Sequence, residues 1–147
     1  MNTLHLSNRP RVLGTIGAAV ISLAAYSGMA FGDSHGVKVM LSGDQEVPAV
    51  KTSASGSGMI AVNPDMTVSG SVTTTGVAGT AAHIHMAGMG KNGPVAVALT
   101  KNGDTYSVPA GAKLTEDQFK AYKAGELYVN VHSADNKGGE IRGQLKP

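Results

Sequence analysis

Strict two-residue alternation, repeated in short runs, limits what this chain can fold into more than any other feature. In "ELYVNVHS" (residues 126–133), Leu127, Val129 and Val131 share one parity, and Glu126, Tyr128, Asn130 and His132 share the other. In "EIRGQL" (140–145), Ile141 and Leu145 oppose Glu140, Arg142 and Gln144; in "AHIHM" (82–86), Ile84 and Met86 oppose His83 and His85. Successive side chains of a strand point to opposite faces, so each run has an apolar face for a core and a polar face outside it. A helical period does not sort these residues in this way.

Other segments extend the pattern. "GVKVMLS" (36–42) reads as a strand, "GDQEVPAV" (43–50) as an extended segment interrupted by Pro48, and "KTSASGSG" (51–58) as a polar loop. "MIAV" (59–62) and "MTVSGSVTTT" (66–75) flank the turn "NPD" and predict a hairpin. "PVAVALT" (94–100) predicts a strand that opens on a proline, where strands accept one. "TEDQFKAYKAG" (115–125) is the one convincing helix: Thr115 can cap it, Glu116 and Asp117 fill its first turn, and Gly125 closes it. Seven or eight short strands with one helix predict an all-β domain, either an antiparallel β-sandwich or a Greek-key barrel. Internal repeats, a phosphate-binding glycine loop and coiled-coil heptads are not evident.

The first 32 residues read differently. Arg9 and Arg11 precede the apolar run "VLGTIGAAVISLAA" (12–25), and "YSGMAFG" (26–32) supplies small residues for cleavage. This is the pattern of an export signal, and the run is too diluted by Gly14, Thr15, Gly17 and Ser22 for a strong membrane anchor. Residues 33–147 are then the mature domain, expected in a periplasm or secreted, with no membrane contact after cleavage. The whole chain carries 12 Lys and Arg against 10 Asp and Glu. Removing Arg9 and Arg11 leaves ten against ten, and a neutral domain without a clustered basic face argues against a nucleic-acid partner. With no cysteine, disulfides and thiolate metal sites are excluded.

The polar parities gather the chemistry. His83, His85 and His132 all fall on polar faces, together with Asn130 and Arg142. The 126–132 and 140–145 runs are close enough for a hairpin, which places Arg142 near His132. If the His83 strand joins the same sheet, the three imidazoles converge outside the core, beneath the 88–93 and 133–139 loops. Such a set suits a transition metal, and imidazole alone does not choose among copper, zinc, iron and nickel. Asn130 is then an outer hydrogen-bonding partner of the ligands. Arg142 has two readings: a cation that attracts and holds an anion beside the metal, or the partner of Glu140 or another carboxylate. Met86 falls on the core parity and Met89 in a loop. Ser133 beside His132 lacks a nucleophile-elbow pattern, and the scattered carboxylates do not pair for glycoside chemistry.

These same stretches, "AAHIHMAGMGKNGPVAVAL" and "LYVNVHSADNKGGEIRGQL" with "LSGDQEVPAV" upstream, closely resemble the CHRD domain, named for its occurrence in chordin. The family's recurring set maps onto His83 and His85, Asn92 to Pro94, Asn130 to His132, and Gly139 to Gln144. Ser133 stands where the family usually has Thr, and Lys137 lies in a loop that often carries Pro. More loosely, the layout is similar to the copper site of copper–zinc superoxide dismutases: a His-x-His strand outside a β-barrel, another histidine, and a nearby Arg. The second-metal ligands of those enzymes are not evident.

Three functions follow as expectations. The first is a copper redox site acting on superoxide, with His83, His85 and His132 as ligands and Arg142 guiding the anion. The second is a non-catalytic copper-binding module that buffers or delivers the ion. The third is an interaction domain in which the histidines matter little. A further copper site is expected if the signal is cut after Gly32. The free amine of Asp33, the amides of Ser34 and His35, and the His35 imidazole would then form a four-nitrogen plane suited to Cu(II) or Ni(II). Cleavage after Ala30 would remove it.

Overall fold

In the computed structural model, residues 36–147 are described. The expected export signal and the Asp33–Ser34–His35 segment lie outside the described residues. The alternating runs become strands: β1 (Val37–Ser42), β2 (Ser55–Val62), β3 (Val68–Thr75), β4 (Gly79–Met86), β5 (Val95–Ala98), β6 (Thr100–Asn102), β7 (Thr105–Ser107), β8 (Leu127–Ser133) and β9 (Ile141–Leu145). They form one nine-stranded sheet in the order β5-β4-β8-β9-β1-β2-β3-β7-β6, and every pairing is antiparallel.

The ends of that order are joined. β5 and β6 lie at opposite edges, yet Leu99 alone separates them along the chain. The Leu99 N–H still donates to the Ala82 carbonyl at 3.0 Å. One continuous stretch therefore binds β4 with its first half and β7 with its second, and the sheet curls into a barrel-like form. Curling in this way brings together edges that would otherwise invite pairing with other chains. The core is the apolar parity: Val39, Leu41, Ile60, Val72, Ile84, Val129, Val131, Ile141 and Leu145 are all buried.

Two stretches depart from the sequence expectation. β2 begins at Ser55, inside the expected polar loop. Its Ser and Gly residues are small because the sheet is tight there: a Cβ at Gly58 would run into the Ser71 carbonyl on β3. The single strand expected over 94–100 is instead β5 and β6, with β7 returning through a two-residue turn. Helix α1 (Glu116–Lys123) has the expected cap, since Gln118 N–H donates to Thr115 Oγ1 at 3.2 Å and Thr115 N–H to Gln118 Oε1 at 2.9 Å. Ala121 and Tyr122 bury its inner side, and Gly125, at φ +73°, turns the chain into β8. No helix among the described residues is long and apolar enough to cross a membrane.

Candidate metal centre

The register of the sheet assembles the site. β4, β8 and β9 lie side by side, so His83 faces Asn130, which faces Arg142; one step along, His85 faces Tyr128, which faces Gln144. His132 lies opposite Ala81, diagonal to His83 and within reach of it. His83, His85 and His132 each offer a ring nitrogen, and these three atoms lie within 4.8 Å of one another. All three residues are partly buried.

The loops over this face fix how two of the imidazoles present themselves. His85 Nδ1 lies 2.9 Å from the Gly93 carbonyl, and His132 Nδ1 lies 2.9 Å from the Lys137 carbonyl. A carbonyl only accepts, so each Nδ1 carries the proton and each neutral ring keeps a lone pair on Nε2. The carbonyls thus set ring tautomer and orientation, as outer partners of metal-bound histidines do. His85 Nε2 is buried and has no hydrogen-bond partner.

Electrostatics favours the same neutral state. Burial pushes the pKa of His83 below the ordinary histidine value, and the neighbouring His132 and His85 push it the same way. Burial also lowers His85; the Gly93 carbonyl opposes the shift, His132 reinforces it, Asn130 opposes it and Arg142 adds to it. Near neutral pH both rings are unprotonated, the form in which imidazole ligates a metal. Two nitrogens bound to one ion at about 2.0–2.1 Å lie about 2.9–3.4 Å apart for angles between square and tetrahedral. His83 Nδ1 and His132 Nε2 are 2.9 Å apart. The donor set therefore fits a nitrogen-loving transition metal, with the third ring nitrogen within 4.8 Å of the other two.

Arg142 has a different environment from the one expected. It is 1% exposed, with its Cζ 3.4 Å from the centroid of the Tyr128 ring. One terminal nitrogen donates to the Lys91 carbonyl at 2.8 Å and Asn92 Oδ1 at 3.4 Å; the other donates to the Gly88 carbonyl at 3.2 Å and Gln144 Oε1 at 3.3 Å. Gln144 in turn donates to the carbonyls of Ala87 and Gly125, each at 2.9 Å. The guanidinium therefore ties down the 88–93 loop, whose far end supplies the Gly93 carbonyl to His85. Of the expected carboxylate partners, Glu140 instead accepts from Thr52 Oγ1 at 2.8 Å, and the carboxylate whose charge acts on Arg142 is Glu46.

The remaining expected residues separate cleanly. Asn130 is buried beside His85, with Nδ2 donating to the Gly138 carbonyl at 3.4 Å and Oδ1 unpartnered. Met86 packs against the core, and Met89 is 66% exposed on its loop. Sequence reasoning missed Tyr128, whose ring stacks on His85 with centroids 4.9 Å apart and whose hydroxyl accepts from Gly93 N–H at 3.3 Å. It also missed Glu46, the one buried carboxylate among the described residues. Tyr128 was readable from its parity with His132, but nothing local to Glu46 marks it.

A barrel-like antiparallel domain with three histidines gathered on its outer face from two adjacent strands defines the class. The chain belongs to the CHRD domain family, whose sequence model matches residues 37–145. No curated protein and no solved structure matches it.

Proposed function

We propose that the domain is exported and that His83, His85 and His132 hold one copper ion. The observation that carries this reading is His85 Nε2: a buried lone pair, aimed by the Gly93 carbonyl contact, without a partner and beside two more imidazoles. Leaving such an acceptor unsatisfied costs about 1–3 kcal/mol, which a ligated cation recovers. Copper is favoured because imidazole suits it and because it stands highest in the order of divalent affinities. Bound copper would supply one-electron exchange, by which one superoxide is oxidised to dioxygen and a second, with two protons, is reduced to peroxide. The chain's own part is to keep His83 and His85 neutral, to orient His85 and His132 through backbone carbonyls, and to leave a partly exposed rim for a small anion.

A second reading, a non-catalytic module that buffers or delivers copper, is favoured by Arg142, whose donors are engaged with the loop instead of facing the histidines. Elemental analysis of protein taken from its exported compartment tests the shared claim: one copper per chain, lost in His83→Ala. Zinc or another metal in stoichiometric amount would replace copper, and no metal would leave the interaction-domain reading. Superoxide turnover by the copper-loaded protein, beyond that of free copper, separates the two copper readings. Export itself predicts a mature chain that begins at Phe31 or Asp33. Only the second start creates the additional Cu(II) site at Asp33, Ser34 and His35, so the intact mass of the exported protein decides it.

A further inference from the structure

Three buried polar atoms among the described residues lack a hydrogen-bond partner: His85 Nε2, Asn130 Oδ1 and Glu46 Oε1. Their residues meet at one place. Asn130 sits on the outer face in register with His83, between β4 and Arg142. Glu46 reaches this place from the other side. β1 ends in a 3-10 turn over Gly43–Gln45, closed by Glu46 N–H donating to the Gly43 carbonyl at 3.2 Å, which also accepts from Val50 N–H at 2.8 Å. Glu46 follows the turn in extended backbone, and its residue is 6% exposed. Gly139, at φ +132°, closes the pocket from the β8–β9 loop: a Cβ there would run into both Glu46 Oε1 and Asn130 Nδ2. The Asn130 amide thus lies against Glu46, and Asn130 also acts on His85.

All three orphan atoms are acceptors. His85 Nε2 is a lone pair because Nδ1 holds the proton against Gly93, and a carboxylate oxygen and an amide oxygen complete the group. Turning the Asn130 amide over exchanges one mismatch for another, since its N–H groups then leave the Gly138 carbonyl. The one donor among these side chains, Asn130 Nδ2, lies on the Gly138 and Glu46 side, so the acceptors left facing His85 favour positive charge there. Glu46 is not among the three residues whose ligand atoms lie mutually within 4.8 Å, so it stands one layer behind the ligands. Burial raises its pKa, against the opposing pull of the Val47 backbone amide, Arg142 and Asn130.

We infer that Glu46 is a positioning residue of the metal centre: acting through Asn130, its buried carboxylate sets the electrostatic bias of the histidine site toward the more highly charged state of the ion. This rests on the copper reading and adds to it a determinant of affinity and reduction potential. An outer partner of this kind changes metal affinity by about 10–100-fold when removed. The negative charge acts more strongly on Cu(II) than on Cu(I), so its loss favours the reduced ion.

The test compares wild type, Glu46→Gln and Glu46→Asp in the full exported domain, using competition titrations with Cu(II) and with Cu(I) and direct measurement of the reduction potential. Glu46→Gln preserves shape and removes the charge. It should keep one ion per chain, weaken Cu(II) by about 10–100-fold, leave Cu(I) much less affected, and raise the potential; Glu46→Asp should restore part of the difference. In an Asn130→Ala background the Glu46→Gln effect should shrink, because the route between the two sites is gone. Equal losses for Cu(II) and Cu(I), or wild-type affinities and potential in Glu46→Gln, would overturn the role of Glu46 while leaving the copper site standing. A wild-type domain that takes up no copper would overturn both.

Discussion

His83 Nδ1 lies 2.9 Å from His132 Nε2, two imidazoles from neighbouring strands joined edge to edge on the outside of the barrel. Because the Lys137 carbonyl holds the His132 proton on Nδ1, Nε2 is the acceptor and His83 Nδ1 the donor. If a metal were held here, the His132 Nε2 lone pair would serve it in place of this hydrogen bond, and His83 would offer Nδ1 with its proton on Nε2.

This defines the first prediction. In the metal-free protein His83→Ala breaks one part-buried hydrogen bond and should cost about 0.5–1.5 kcal/mol, and His132→Ala, which also loses its bond to the Lys137 carbonyl, about twice that. The metal-loaded comparison should differ sharply. Copper at about 100 times its dissociation constant stabilises a one-site protein by about 2.7 kcal/mol, and both variants should lose that increment. Denaturant titration with and without copper measures it. Equal stabilisation of wild type and variants would show that the ion binds elsewhere.

The second prediction is a pH dependence. His83 and His85 both have folded-state pKa values below the ordinary 6.5, chiefly through burial. Below about pH 6.5 the unfolded chain therefore binds protons that the folded chain refuses. Stability of the metal-free domain should be full above this value and fall as the pH drops toward the folded-state values. Copper affinity should fall in the same direction, because protons compete for the ligand nitrogens. Denaturation midpoints across about pH 7.5 to 5 give the slope, and the double variant His83→Ala, His85→Ala should flatten it. A slope unchanged in that variant would assign the dependence to other groups.

How far the sequence reaches is visible in these same residues. Parity alone put His83, His85, His132, Asn130 and Arg142 on outer faces, because Ile84, Val129, Val131, Ile141 and Leu145 hold the opposite, buried parity in β4, β8 and β9. The capped helix was equally legible, since Thr115 and Gln118 meet within one turn. What covers the outer face was not. Asn130 and Arg142 are buried by loops that lie far off in sequence, such as the Lys91 carbonyl that receives the Arg142 guanidinium. β6 and β7 escaped because "TKNGDTYS" has almost no apolar parity, and its pairing comes from the closing sheet. Glu46 falls in a segment expected to be extended, and the 3-10 turn over Gly43–Gln45 that precedes it is not marked by the sequence.

The third prediction concerns Gly139. Its φ of +132° suits glycine, and a Cβ would strike Glu46 and Asn130 together. Gly139→Ala should destabilise the domain by at least about 1–3 kcal/mol from backbone strain. It should also weaken copper binding, because the displaced Asn130 lies beside His85. Gly138→Ala is the control: no atom approaches its Cβ within 4 Å, and it should change little. Thermal melts and copper titrations of the two variants provide the comparison, and equal behaviour would remove the proposed crowding.

The last prediction separates two roles for Arg142. If the guanidinium guides superoxide, Arg142→Ala should slow turnover while copper content stays at one per chain. Turnover by the wild type should then also fall with added salt, which screens exposed charges over roughly 10 Å at 0.1 M. The contacts favour a different outcome. Deleting the side chain takes the Arg142 donor from the Lys91 carbonyl, leaves the Gly88 carbonyl only the Lys91 N–H, and strips the cation from the face of Tyr128. Each of these part-buried bonds is worth about 1.5–3 kcal/mol as a hydrogen bond from a charged group. The loosened loop also carries Gly93, whose carbonyl orients His85, so copper affinity should fall along with stability. Arg142→Lys should not rescue it, because one ammonium cannot reproduce the planar fork that spans two carbonyls. Hydrogen exchange at residues 88–93 should accelerate in both variants. Unchanged exchange and full copper content, with turnover alone reduced, would instead return Arg142 to the role of anion guide.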